Sequence, residues 1–89
     1  MSKKYELTDD TIEHDGRTLY RIRALVDIPA IGVSAGDLGG YVESEKNLSH
    51  TGDCWVHGNA RVRGNAFVND NGFVGSNMIV NQVIYGEVQ

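Results

Sequence analysis

Gly52-Asp53-Cys54-Trp55-Val56-His57, Gly58-Asn59-Ala60-Arg61-Val62-Arg63, Gly64-Asn65-Ala66-Phe67-Val68-Asn69, Asp70-Asn71-Gly72-Phe73-Val74-Gly75, Ser76-Asn77-Met78-Ile79-Val80: set out in sixes, residues 52–80 repeat themselves. Val56, Val62, Val68, Val74 and Val80 fill one column without a break. Asp53, Asn59, Asn65, Asn71 and Asn77 fill a second, and a third stays small (Cys54, Ala60, Ala66, Gly72) before ending in Met78. Self-similarity at a fixed period outranks local propensity as a guide to architecture.

Within a hexad the residues around the valine alternate, as in Ala60-Arg61-Val62-Arg63: small in, charge out, apolar in, charge out. That is the two-residue period of a short strand with one buried face. The Gly-Asn or Gly-Asp that follows tolerates positive φ and turns the chain. Short strands and sharp corners in alternation wind into a prism whose rungs stack in parallel. At this point the chain resembles the hexapeptide-repeat, left-handed parallel β-helix family, in which three hexads make a triangular coil of roughly eighteen residues. Gln82, Val83 and Gly86 break the columns, so the helix is expected to stop there after about two coils, a short form.

With 89 residues, the sequence suits one small domain. The formal charge of −4 and the lack of a basic run give a nucleic-acid partner no electrostatic support. No long apolar run or signal-peptide pattern follows Met1-Ser2-Lys3-Lys4, which points to a cytoplasmic protein with no membrane partner. The single Cys54 sits in the inward small column and reads as a core residue. One cysteine forms neither an internal disulfide nor an all-Cys zinc site, and no His/Cys/Asp spacing is that of a metal centre.

The N-terminal part follows another rule. Tyr5–Thr8 reads as a short strand, Asp9-Asp10 as a turn, and 11–14 with 17–26 as a hairpin around Asp15-Gly16. Tyr20, Ile22, Ala24 and Val26 alternate with Arg21, Arg23 and Asp27, which implies an antiparallel sheet with one wet face. Pro29 ends it. The division is then 1–46, the hairpin and glycine-rich entry, and 47–89, the repeat, packed as one all-β unit.

Gly39-Gly40 lacks the flanking residues of a phosphate-binding loop and reads as the turn into the repeat. A hairpin, then Ala35-Gly36-Asp37-Leu38-Gly39-Gly40-Tyr41-Val42-Glu43, Asn47-Leu48-Ser49, Gly52-Asp53-Cys54-Trp55-Val56 and hexads is similar to a family of phage, prophage and bacterial β-helix proteins. Its members are described as transferase-like or of unknown function. The likeness spans nearly the whole chain and implies a phage origin and the cytoplasm of a host cell.

The residue before each valine should face out: Trp55, Arg61, Phe67, Phe73 and Ile79, with Tyr85 beyond. At eighteen residues per coil, Trp55 lies over Phe73, Phe67 over Tyr85, and Arg61 over Ile79. Contiguous apolar patches mark interfaces, and Trp, Tyr and Arg carry much binding energy. Short repeat stacks also need their ends and faces covered. These walls, with His57 beside Trp55, are therefore expected to contact a partner. The hairpin could fold back over one of them but not both. A homo-oligomer follows, a trimer by analogy with the resembled family and a dimer next.

Three functions are compatible with this. The first is a non-enzymatic oligomer acting through protein–protein contact; the phage context of the resembled family implies inhibition of a host protein. The second is a module that sequesters a small anionic ligand such as a nucleotide, with Arg61 and Arg63 meeting across a subunit boundary. The third is a remnant acyltransferase. Members of the hexapeptide-repeat family use a histidine as general base on acyl-coenzyme A, and His57 is placed for it. No neighbouring acid orients His57, and two coils offer little groove. The expectation is no catalytic residue and no cofactor.

Overall fold

A computed structural model describes residues 3–14, 16–64, 66–69, 72–75 and 79–80; for 73, 79 and 80 the backbone alone is described. It is all-β, with two short 3-10 turns at Pro29–Ile31 and Glu45–Asn47. The strands are β1 (Tyr5–His14), β2 (Arg17–Ala24), β3 (Leu38–Val42), β4 (Trp55–Val56), β5 (Arg61–Val62), β6 (Phe73–Val74) and β7 (Ile79–Val80). One mixed sheet runs β1-β2-β3-β5-β7, and β4 pairs with β6.

β1 and β2 form the expected antiparallel hairpin, with His14 opposite Arg17 and Gly16 at φ 79°. Asp15 lies outside the described residues. Asp9-Asp10 is not a turn. β1 runs through it, and the register jumps between Leu7–Ile22 and Thr11–Tyr20. The surplus residues make a bulge fixed from β2: the Thr8 hydroxyl donates to Arg21 O at 2.9 Å, and Asp10 pairs with Arg21 Nε at 3.1 Å. A bulge keeps both strands in the ladder, whereas a turn would end one. β2 stops at Ala24, and Val26, expected to face the core, is 39% exposed.

β3 is the hinge of the architecture. It pairs antiparallel with β2 through Tyr20–Val42 and Arg21–Tyr41, and parallel with β5 through Tyr41–Arg61 and Val42–Val62. Gly39 and Gly40 lie inside this strand, so the expectation of a turn there is wrong. The β2–β3 register slips at this point, leaving both glycines opposite Ile22. A Cβ at Gly39 would stand 2.7 Å from Ile22 Cγ1 and 2.6 Å from Val56 O; at Gly40 it would stand 2.6 Å from both Ala60 O and Val56 Cγ1. The pair is glycine because two backbones close in on it, and no positive φ is involved.

Beyond β3 the pairing is parallel and falls into three sets. Trp55 pairs with Phe73 and Val56 with Val74; Arg61 pairs with Ile79 and Val62 with Val80; Leu48 bridges Val68. Gly52, Gly58 and Gly64 turn the chain at φ 73°, 58° and 65°. Val42, Leu48, Val56, Val62, Val68 and Val74 are completely buried, as are Cys54 and Ala60, and together they form the core with Ile22, Ala24 and Tyr5. Removing one such side chain from water contributes about 1.5–3 kcal/mol. The valine column therefore faces inward at its four fully described positions, while Val80 is known from its pairing alone.

The step between stacked partners is eighteen residues for β4–β6 and β5–β7, but twenty for Val42–Val62 and Leu48–Val68. The two additional residues fall between Leu48 and Val56. Asn47 secures this first, longer course. Only 1% exposed, its carboxamide accepts from the N–H groups of Glu43 and Ser44 (3.1 and 2.9 Å) and donates to Ala66 O (2.8 Å) and Gly64 O (3.3 Å).

Close approach at β3 makes a prediction. Gly40→Ala should lower stability by about 1–3 kcal/mol, the usual cost of overpacking, read as an earlier urea midpoint. An unchanged midpoint would mean that the backbones do not approach as described.

Candidate functional site

Strand alternation puts Trp55 on the side of β4 opposite Val56, as expected, and its register with Phe73 is the expected one. Yet Trp55 is 2% exposed. The start of β1 covers it: the Tyr5 ring meets the indole edge-on, with centroids 6.4 Å apart. Trp55 is thus a contact within the chain, and an intermolecular role for it is corrected. The fold-back foreseen for one ring-bearing wall is the arrangement found here.

The cover is held by a polar latch. Tyr5 is fully buried, and its hydroxyl donates to Leu48 O at 2.5 Å and to Glu45 O at 3.2 Å. Burial pushes its phenol well above the usual range, with Glu45 and Cys54 adding to the effect. The His50 ring stacks on Tyr5 at 4.2 Å. His50 Nδ1 accepts from the Lys4 N–H at 3.1 Å, so the ring's proton sits on Nε2, which donates to Glu45 Oε1 at 2.9 Å. Lys3 also reaches Glu45, at 3.2 Å. Together, first His50 and then Lys3, these bonds hold the Glu45 carboxyl below its usual range. Lys4 is 5% exposed, with its ammonium donating to Cys54 O at 2.7 Å and Gly52 O at 3.3 Å and standing 3.2 Å from Cys54 Sγ. Beside this latch lies a cleft of about 200 Å³ lined by Lys3, Lys4, Val26, Pro29, His50 and Asp53. Lys3, Lys4 and His50, three of its polar side chains, are already engaged within the chain.

His57 follows β4, half-buried, its N–H bonded to Val74 O at 2.9 Å. Burial pushes its imidazole below the usual value. Phe67 is part-exposed. Ile79 and Phe73 are placed by their pairing with Arg61 and Trp55, and Tyr85 lies outside the described residues. Among the described residues no group of His, Cys, Asp and Glu could hold a metal ion, and no helix is long and apolar enough to cross a membrane.

Within one chain Arg61 and Arg63 are each described against a different neighbour. Arg61 Nη1 donates to His14 Nδ1 at 3.1 Å. Arg63 instead lies in the field of Glu43. The Glu43 carboxylate accepts from Gly64 N–H at 2.7 Å and from Arg17 at 2.9 and 3.0 Å. Arg21, which the sequence reading left as a generic wet-face residue, is a hub. Its guanidinium lies 4.4 Å from the centroid of Tyr41, donates to Gly39 O at 3.0 Å and to Asn59 Oδ1 at 3.2 Å, and pairs with Asp10. The Gly39 carbonyl it satisfies belongs to the β3 bulge. No sequence signal marks Arg21 for this beyond the Gly-Gly it serves.

Compared with known proteins, the chain matches no family model and no curated protein sequence.

Glu43 makes a pH prediction. The Gly64 N–H, then Arg17, holds its carboxyl below the usual range. A carboxylate with a depressed folded-state value stabilises the fold above the unfolded value of about 4.3 and stops doing so as pH falls through the folded value. Thermal melts should therefore decline below about pH 5, and Glu43→Gln should show a shallower decline. An identical acid slope in the variant would contradict the assignment.

Proposed function

We propose that the chain is a short left-handed hexapeptide-repeat β-helix, closed on one wall by its own hairpin, that acts without catalysis as an oligomeric protein-interaction module. Support for the β-helix comes from three sets of parallel pairs, the inward valine column and positive-φ glycines at six-residue intervals. The resemblance to phage proteins makes a host protein the partner in question, in the cytoplasm of the host cell.

One observation carries the interaction reading: the chain already uses a ring-bearing wall of its stack as a docking surface. Trp55 goes to 2% exposure under Tyr5, while Phe67, its counterpart two hexads on, stays part-exposed. A wall of the same make is left for a second copy, a trimer ahead of a dimer. The small-anion reading has less behind it. The Tyr41 ring is 7% exposed beneath Arg21, so it offers no face for a base, and the described cleft lies on the latch side. The acyltransferase reading has only His57, whose lowered value reflects burial.

Sedimentation of the purified chain at micromolar concentration tests this. An oligomer is expected, and Phe67→Ser should weaken it by at least about tenfold, or 1.4 kcal/mol, with the circular-dichroism spectrum unchanged. A monomer throughout would remove the reading.

A further inference from the structure

All five arginines of this acidic chain lie on just two strands or beside them: Arg17, Arg21 and Arg23 on β2, Arg61 on β5 with Arg63 next to it. Alternation along β2 puts its three on one face, away from Ile22 and Ala24. Register then carries the row across β3: Arg21 is opposite Tyr41, and Tyr41 is opposite Arg61. Arg17 bonds to Glu43, whose carboxyl also lies in the field of Arg63. The arginines of both strands therefore share one face of the mixed sheet.

The carboxylates that touch them are Glu6 on Arg23, Asp10 on Arg21 and Glu43 on Arg17, with Glu43 also in the field of Arg63. Among the described residues, five cations therefore face three carboxylates, and that part of the surface is positive. The whole sequence, by contrast, has 8 Lys+Arg and 12 Asp+Glu and a formal charge of −4. Arg61 stands out. Among the described residues its partner is the Nδ1 lone pair of His14, a neutral acceptor, and no carboxylate. A carboxylate arriving there would replace a neutral hydrogen bond with a charge-assisted one, roughly twice as strong.

We propose that this face binds an acidic segment of a protein partner, with Arg61 as its anchor and the half-exposed Arg17 and Arg23 flanking it. The inference rests on reading the chain as an interaction protein but uses a surface other than the Phe67 wall. The chemistry selects the partner. The Tyr41 ring is covered, so a nucleotide has nowhere to stack, and no described cleft opens on this side for a small anion. A long polyanion such as duplex nucleic acid would run past the positive face into the field of a chain whose formal charge is −4. A short run of Asp or Glu side chains engages the guanidinium forks and ends within about one Debye length, roughly 8 Å at physiological salt.

Fluorescence anisotropy of a labelled short oligoglutamate peptide, titrated with the whole chain at about 20 and about 150 mM salt, tests this. Saturable binding that weakens with salt is expected. Arg61→Gln should weaken it at least about fivefold, Arg61→Lys should restore most of it by keeping the charge, and Lys46→Gln, at an exposed lysine in the Glu45–Asn47 turn outside both strands, should leave it within about twofold. Absence of saturable binding, equal losses in Arg61→Gln and Lys46→Gln, or tighter binding of duplex DNA or pyrophosphate would overturn the proposal. Sedimentation of the same samples separates the two readings. A chain that oligomerises but ignores the oligoglutamate peptide sinks this inference alone, and a monomer that binds it sinks the Phe67 reading alone.

Discussion

Apolar side chains one above another, each delivered by the next parallel course, are the constraint on which the rest of the molecule depends. Val42 over Val62, Leu48 over Val68 and Val56 over Val74 are all fully buried. Strands of two residues have almost no ladder of their own, so their positions are set by what they bury and by the turns between them. Small inward residues, Cys54, Ala60 and Ala66, let the courses stay narrow. Gly39 and Gly40 do the same for β3, which has to meet an antiparallel neighbour on one side and a parallel one on the other.

A stack this narrow cannot hide its own outer rings, and the N-terminal strand supplies what it lacks. Tyr5, His50 and Trp55 form one aromatic group in which each polar atom with a described role has a partner, and Lys4 fills the gap beside Cys54 with an ammonium bonded to backbone carbonyls. The residues making this closure possible sit where the first course is two residues longer than the next. The lengthened stretch, Ser49 to Asp53, contains His50. Insertion into a regular repeat thus becomes the socket for the element that caps it.

The periodic part of the fold was legible because its cause is local and repeats. The valine column recurs five times, the small residues four and the glycine corners three, and the registers of Trp55 with Phe73 and Arg61 with Ile79 follow from counting. Val42 and Leu48, the first course, escaped because the eight-residue step to Val56 breaks the count. The recurring pair of an aromatic and a valine, Tyr41-Val42 like Trp55-Val56, Phe67-Val68 and Phe73-Val74, was the signal that could have recovered Val42. Asp9-Asp10 was misread because the residues that favour turns also favour bulges, and only the partner strand decides between them. Trp55 was placed on the correct side of its strand but not under Tyr5, since that contact joins residues fifty positions apart. Lys4 and Arg21 escaped for the same reason.

Long-range methyl contacts measured by NMR test the stacking most directly. The account predicts nuclear Overhauser effects between the methyls of Val56 and Val74, Leu48 and Val68, and Val42 and Val62, each pair one course apart. Their absence in a folded sample, or contacts only between valines six residues apart, would contradict it.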